Sequence, residues 1–135
     1  MSPITKDQDF LSHLTVLLVE DDPESREATA EFLARRVGCL LQAANGIEGL
    51  ALFSEMRPPI VVTDISMPFM DGLTMASQMR AIEPTVQILA ITAFGQTDQI
   101  KKALEMGVNG YVIKPLQADL LETTLLRCAR ELRLS

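Results

Sequence analysis

Histidine is almost absent from this chain: His13 stands alone among 135 residues. A metal centre built on several imidazoles is therefore excluded, and a histidine-based triad would have to draw on a residue close to the N-terminus. Cysteine is nearly as scarce. Cys39 and Cys128 lie far apart among apolar neighbours, without a C-x-x-C pair or a disulfide framework, and both read as reduced thiols buried in a core. Long apolar runs are missing, since nothing approaches the ~20 residues of a membrane span. The stretch before Leu14 carries Asp7 and Asp9 where a signal peptide would need an apolar centre. A basic excess is missing too: 12 Lys and Arg against 18 Asp and Glu leave a net charge of -6. That balance argues against coating nucleic acid and against attachment to an anionic membrane. There are no repeats and no low-complexity linker. What is present is one acidic domain, 47% hydrophobic, with enough apolar side chains for a real core and a cytoplasmic setting expected.

Short apolar runs alternate with helix-like stretches five times. Leu14–Val19 is rich in strand formers and ends abruptly in Glu20-Asp21-Asp22-Pro23. Asp22 suits a helix cap with Pro23 at the first position. The stretch from about Pro23 to Val37 sets Ala28, Phe32 and Leu33 on one side, and Gly38 closes it. Cys39–Ala43 follows, then Asn45-Gly46 and a helix through Leu50 and Phe53 to Arg57. Pro58-Pro59 stops that helix and launches Ile60–Asp64, the clearest buried strand. A loop with Pro68 and Asp71-Gly72 leads to a helix over about Leu73–Ile82. Val86–Ile91 is a fourth strand, and Thr97 or Asp98 caps a helix with Ile100, Ala103 and Leu104 on one face. Tyr111–Ile113 is the last strand. The helix from Gln117 to about Leu132 stacks Leu121, Leu125, Cys128 and Leu132. Strands alternating with helices across short connections predict an open, doubly wound α/β sheet of five parallel strands. In such sheets the site lies at the carboxyl ends of the strands, where strand order reverses.

Those ends carry the chemistry. Glu20, Asp21 and Asp22 follow the first strand, Asp64 ends the third, Thr92 follows the fourth and Lys114 the fifth. Each has an ordinary reading alone: a helix cap, a turn-forming Asp, a strand-end hydroxyl, a surface lysine. Together they describe converging carboxylates that repel unless a cation lies between them. Few hard oxygen ligands with room for water suit Mg²⁺. A lysine and a hydroxyl opposite would complete a pocket for a phosphoryl group, whose transfer needs charge neutralisation and positioning and no histidine.

On these residues the sequence resembles the receiver domain of two-component response regulators. The likeness is carried by Val16-Leu17-Leu18-Val19-Glu20-Asp21-Asp22-Pro23 and by Val61 through Gly72. It continues in Ile88-Leu89-Ala90-Ile91-Thr92-Ala93 and in Gly110-Tyr111-Val112-Ile113-Lys114-Pro115. The resemblance implies a flavodoxin-like (βα)5 fold with strand order 2-1-3-4-5, residues 14–133 being the receiver and 1–13 an N-terminal extension. It implies that Asp64 accepts a phosphoryl group from a phosphohistidine on a cognate histidine kinase or phosphotransfer protein. It further implies that Glu20, Asp21, Asp64 and the backbone carbonyl of Ser66 bind Mg²⁺, and that Lys114 pairs with the phosphoryl oxygens. A cis Lys114-Pro115 bond is expected. Thr92 and Tyr111 match the switch pair, the hydroxyl moving to the phosphate and the ring turning inward. Leu116 replaces the aromatic residue common after Lys-Pro. Phe94, two residues past Thr92, and Ser66 occupy positions that tune the lifetime of the aspartyl phosphate, and Phe94 is expected to hinder in-line water.

Other readings stay open. An Mg²⁺-dependent aspartyl-nucleophile phosphatase would place a second Asp where Ser66 stands, and a degenerate receiver would bind partners without phosphorylation. A true receiver is a regulatory phosphoacceptor, not an enzyme of many turnovers. The seven methionines, Met67, Met70, Met75 and Met79 among them, read as gap-filling residues. The chain reads as a receiver from the start of a longer protein, acting on an output domain or a downstream partner. Exposed Leu126 and Leu134 would support a homodimer through the fourth and fifth helices.

Overall fold

The apolar runs become a parallel sheet because each is followed by a helix long enough to carry the chain back to the same edge. The computed structural model describes residues 3–67, 70–93 and 97–135, Thr97 by its backbone alone. In chain order the elements are α1 (Lys6–Leu11), β1 (Thr15–Val19), α2 (Pro23–Ala34), β2 (Cys39–Ala43), α3 (Gly46–Met56) and β3 (Ile60–Asp64). They continue as α4 (Gly72–Ile82), β4 (Gln87–Thr92), α5 (Thr97–Glu105), β5 (Gly110–Ile113) and α6 (Ala118–Leu134). The five strands are parallel, as the sequence predicts, and lie in the order β2-β1-β3-β4-β5 that the resemblance implies.

Strand side chains alternate between faces, and each face has its own core. Leu17, Val19, Val61, Ile88 and Ala90 pack with Phe53, Met75, Met79 and Val108, the side covered by α3, α4 and α5. Val16, Leu18, Ile60, Val62, Leu89 and Val112 pack with Leu33, Leu121 and Leu125, the side of α2 and α6. β3 is buried along its whole length, because it lies mid-sheet under helices on both sides.

Of the helices that cover the sheet, α2, α3 and α4 start on side-chain caps. Asp22, Asn45 and Asp71 accept the N–H groups of Ser25, Glu48 and Thr74 at 2.9, 2.9 and 2.8 Å. Gly72 does more than begin α4. Its N–H donates to the Ile65 carbonyl at 2.8 Å, and a side chain there would collide with the Asp64 carbonyl oxygen and stand 2.9 Å from the Ile65 Cα. Only glycine lets α4 start against the end of β3.

Some residues fall elsewhere than the sequence pattern places them. The N-terminal extension forms a helix, α1. Thr5 and Gln8 form a reciprocal capping box, with bonds of 3.1 and 2.8 Å. The short helix it opens packs on α6 through the fully buried Leu11 and an Asp7–Arg133 ion pair at 2.9 Å. Cys39 is exposed, whereas Cys128 is buried; β2 is a sheet edge, so its first residue lacks cover on one side. Burial pushes the Cys128 thiol up to about 11. In α2 the buried face is Thr29, Ala30 and Leu33, and Ala28 faces out. Leu104 is exposed while Ala103 is buried, and Leu126 packs against the core, leaving Leu134 exposed. Met75 and Met79 are fully buried, with Met67 and Met70 packed beside them. The cap of α5 and the residues Pro68 and Phe94 lie outside the described residues. No helix among the described residues is long and apolar enough to cross a membrane.

Candidate functional site

Strand order reverses between β1 and β3, which leave the sheet with α2 and α4 on opposite sides. Glu20 follows β1 and Asp64 ends β3, so the two carboxylates meet where the crevice opens. Glu20, Asp21 and Asp64 each offer an oxygen, and these all lie within 4.8 Å of one another. Glu20 is 2% and Asp64 8% exposed, and Asp21 is the least buried of the three. Lys114, just past β5, places its Nζ 3.1 Å from Asp64 Oδ2 and 3.5 Å from Glu20 Oε1. Asp64 Oδ1 accepts the Ser66 N–H at 3.1 Å, and the Thr63 hydroxyl donates to the Asp64 carbonyl at 2.8 Å. The sequence therefore named the residues that the fold brings together. The Lys114-Pro115 bond is cis.

Electrostatics set the site's demand. Burial first, then the neighbouring Asp64 carboxylate, raises the Glu20 carboxyl from its usual 4.5 to about 7. Burial alone would lower the Lys114 ammonium, but the hydrogen bond and charge of Asp64, and then Glu20, outweigh it and hold it raised. Glu20 Oε2 is buried and has no hydrogen-bond partner among the described residues. A buried oxygen without a donor, between two further carboxylates, fits a small hard cation whose remaining positions stay hydrated.

Around this cluster the other predicted residues divide. Thr92 ends β4 fully buried. Tyr111 lies opposite Ala90 in the β4–β5 ladder and is 42% exposed. It lines an open cleft of about 310 Å³ with Ile113, Lys114, Pro115 and Leu120 rather than facing the carboxylates. Leu116, in the aromatic position, packs against the α6-side core. Two neighbours were not foreseen. The Arg26 guanidinium donates to the Glu20 carbonyl at 2.9 Å, and the Ser66 hydroxyl reaches Gln99 Oε1 at 3.5 Å. Arg26 lies six residues after Glu20 in a cap-led helix, one turn past the cap, a spacing that offers a signal. Gln99 had none, because it is 33 residues from Ser66.

The fold and this strand-end cluster define a response regulator receiver domain, and the chain belongs to that family, whose model matches residues 16–126. It is 34% identical over 102 residues to the chemotaxis protein CheY of Halobacterium salinarum, covering 76% of this chain and 85% of that protein. It is likewise 34% identical over 113 residues to a probable C4-dicarboxylate response regulator, DctR, of Priestia megaterium. That match covers 82% of this chain, which spans only half the length of that relative. In structure it resembles a receiver domain from Clostridium thermocellum, with a TM-score of 0.85 at 24% identity, over 90% of this chain and 98% of the other. It is thus a receiver domain of two-component signalling.

Proposed function

We propose that Asp64 is the phosphoacceptor, that residues 14–133 form the receiver, and that residues 1–13 are an appended extension. The reading rests on one observation: three carboxylates converge within 4.8 Å while Lys114 stands 3.1 Å from Asp64. An Asp64 carboxylate oxygen attacks the phosphorus of a phosphohistidine on a cognate kinase or phosphotransfer protein. The P–N bond breaks, and its electron pair leaves on the imidazole nitrogen. Lys114 then pairs with the phosphoryl oxygens. Glu20, Asp21, Asp64 and the Ser66 carbonyl would hold Mg²⁺, which when bound supplies charge neutralisation for the transferring group. The protein's part is to keep these groups preorganised at rigid strand ends, where little rearrangement is left for the moment of transfer.

The test uses the chain with acetyl phosphate and MgCl2. One acyl phosphate per chain is expected, labile to base and hydroxylamine and mapped to Asp64 by borohydride reduction. Asp64→Asn should take none while keeping its circular dichroism spectrum; undiminished labelling of that variant overturns the assignment. An aspartyl-nucleophile phosphatase would turn over small phosphate esters repeatedly. Ser66 stands where that chemistry places its second Asp, which disfavours it.

Phosphorylation draws the Thr92 hydroxyl to the new dianion, a contact made in one state only, and Tyr111 turns inward from its exposed position. The surface it leaves is apolar: Leu104, Ile113 and Leu120 are exposed along α5, β5 and α6. This face would serve an output domain, a downstream protein or a second copy of the chain, in the cytoplasm where kinases and their phosphodonors meet. Ser66 and Phe94 set the lifetime of the phosphate. Timed release from wild type and Phe94→Glu checks this: faster loss in the variant supports a shielding Phe94, and equal or slower loss overturns it.

A further inference from the structure

Glu20 is held by its backbone on both sides. Its N–H donates to the Ala43 carbonyl of β2 at 3.1 Å, and its own carbonyl accepts from Arg26 Nη1 at 2.9 Å. Arg26 is in turn fixed by the start of α2: its N–H donates to the Asp22 carbonyl at 2.8 Å, and Asp22 caps the helix through Ser25 at 2.9 Å. The turn from Glu20 to Arg26 is thus closed upon itself. At its origin sits the buried carboxylate whose Oε2 has no partner among the described residues. A guanidinium beside an acidic cluster would ordinarily pair with a carboxylate. Here it bonds a backbone carbonyl instead, which leaves Glu20 Oε2 for another ligand.

We propose that Arg26 is a positioning residue for the cation site: by clamping the Glu20 carbonyl it aims the Glu20 carboxylate into the cluster. This rests on the reading that the cluster binds Mg²⁺. The alternative role, a nearby positive charge that merely offsets the acidic field, predicts the opposite sign. Removing a positive charge beside a cation site tightens cation binding by Coulomb's law. Removing a second-layer clamp loosens it, by about 10- to 100-fold in metal affinity.

The experiment is calorimetric titration of the full chain with MgCl2 alone, comparing wild type, Arg26→Met and Arg26→Lys. Arg26→Met keeps an apolar stem and deletes the donors; its Kd for Mg²⁺ is expected to rise about tenfold. Arg26→Lys keeps the charge with one compact donor and should fall between the two. In acetyl phosphate labelling, Arg26→Met should need more Mg²⁺ for half-maximal rate yet reach the wild-type rate at saturation. An Arg26→Met Kd equal to or below that of wild type overturns the proposal. If that variant does not fold, Arg26→Lys decides alone: a raised Kd supports the clamp, and an unchanged one overturns it. A wild-type chain that takes up no Mg²⁺ overturns the cation reading itself, a result separable from an unchanged Arg26 variant.

Discussion

The backbone N–H of Lys114 donates to the carbonyl of Thr92 at 2.7 Å, one step beyond the last β4–β5 pair, Thr92 opposite Ile113. The residue that faces Asp64 with its ammonium is therefore tied to the residue proposed to report the phosphate with its hydroxyl. This peptide hydrogen bond gives any shift of the Thr92 backbone a direct route to the end of β5.

Thr92→Val removes the hydroxyl and keeps the shape, so phosphorylation should persist while the response is lost. Tyr111 reports it cleanly, because the chain has one tyrosine and no tryptophan. With beryllofluoride and Mg²⁺, acrylamide quenching of Tyr111 fluorescence should fall in wild type and stay unchanged in Thr92→Val. Equal protection in both would remove Thr92 from the switch.

Metal-free stability should depend on pH through Glu20. The folded protein holds this proton up to about 7, whereas an ordinary glutamate releases it near 4.5. Its contribution is therefore present at low pH and is lost as pH rises through that interval, by at most ~1.4 kcal/mol per unit. In EDTA, urea unfolding should show Glu20→Gln gaining on wild type from pH 5 to pH 8. Mg²⁺ should stabilise wild type at pH 8 far more than the variant, by mass action on the folded state. A stability difference independent of pH contradicts the prediction.

Gly72→Ala pushes a methyl group against the Asp64 carbonyl and the Ile65 Cα. Overpacking of this kind costs about 1–3 kcal/mol, measurable as a lowered urea midpoint. Because the atoms displaced belong to Asp64 and its neighbour, the labelling rate should fall as well.

Arg80 offers a contrast at the far end of the sheet. Its guanidinium donates to the carbonyls of Pro84, Val86 and Gly107 and to Asn109 Oδ1, fastening the end of α4 to the turn between α5 and β5. Arg80→Met should destabilise by about 1.5–3 kcal/mol, the scale of charged hydrogen bonds. Its Mg²⁺ affinity should match wild type in the same titration.

The site was more legible than the surface. Glu20, Asp21, Asp64, Thr92 and Lys114 each follow an apolar run, and a parallel sheet brings such ends to one edge whatever the helices do. Cys39 and Leu104 misled, because local apolar pattern says nothing about which strand is an edge or which side of a helix meets the sheet. The Thr5–Gln8 pair of α1 carried a capping signal; its docking to α6 through Asp7 and Arg133, 126 residues apart, did not.

By itself, then, the sequence determined the alternation of strands and helices, the doubly wound class and the acidic chemistry at the strand ends. Those follow from periodicity, chain-reversal geometry and residue type, all of which act locally. Only the tertiary structure decided that Glu20 Oε2 is buried without a donor among the described residues, that Arg26 grips the Glu20 backbone, and that Tyr111 faces outward. These depend on which distant groups share a low-dielectric space, and that is settled by packing.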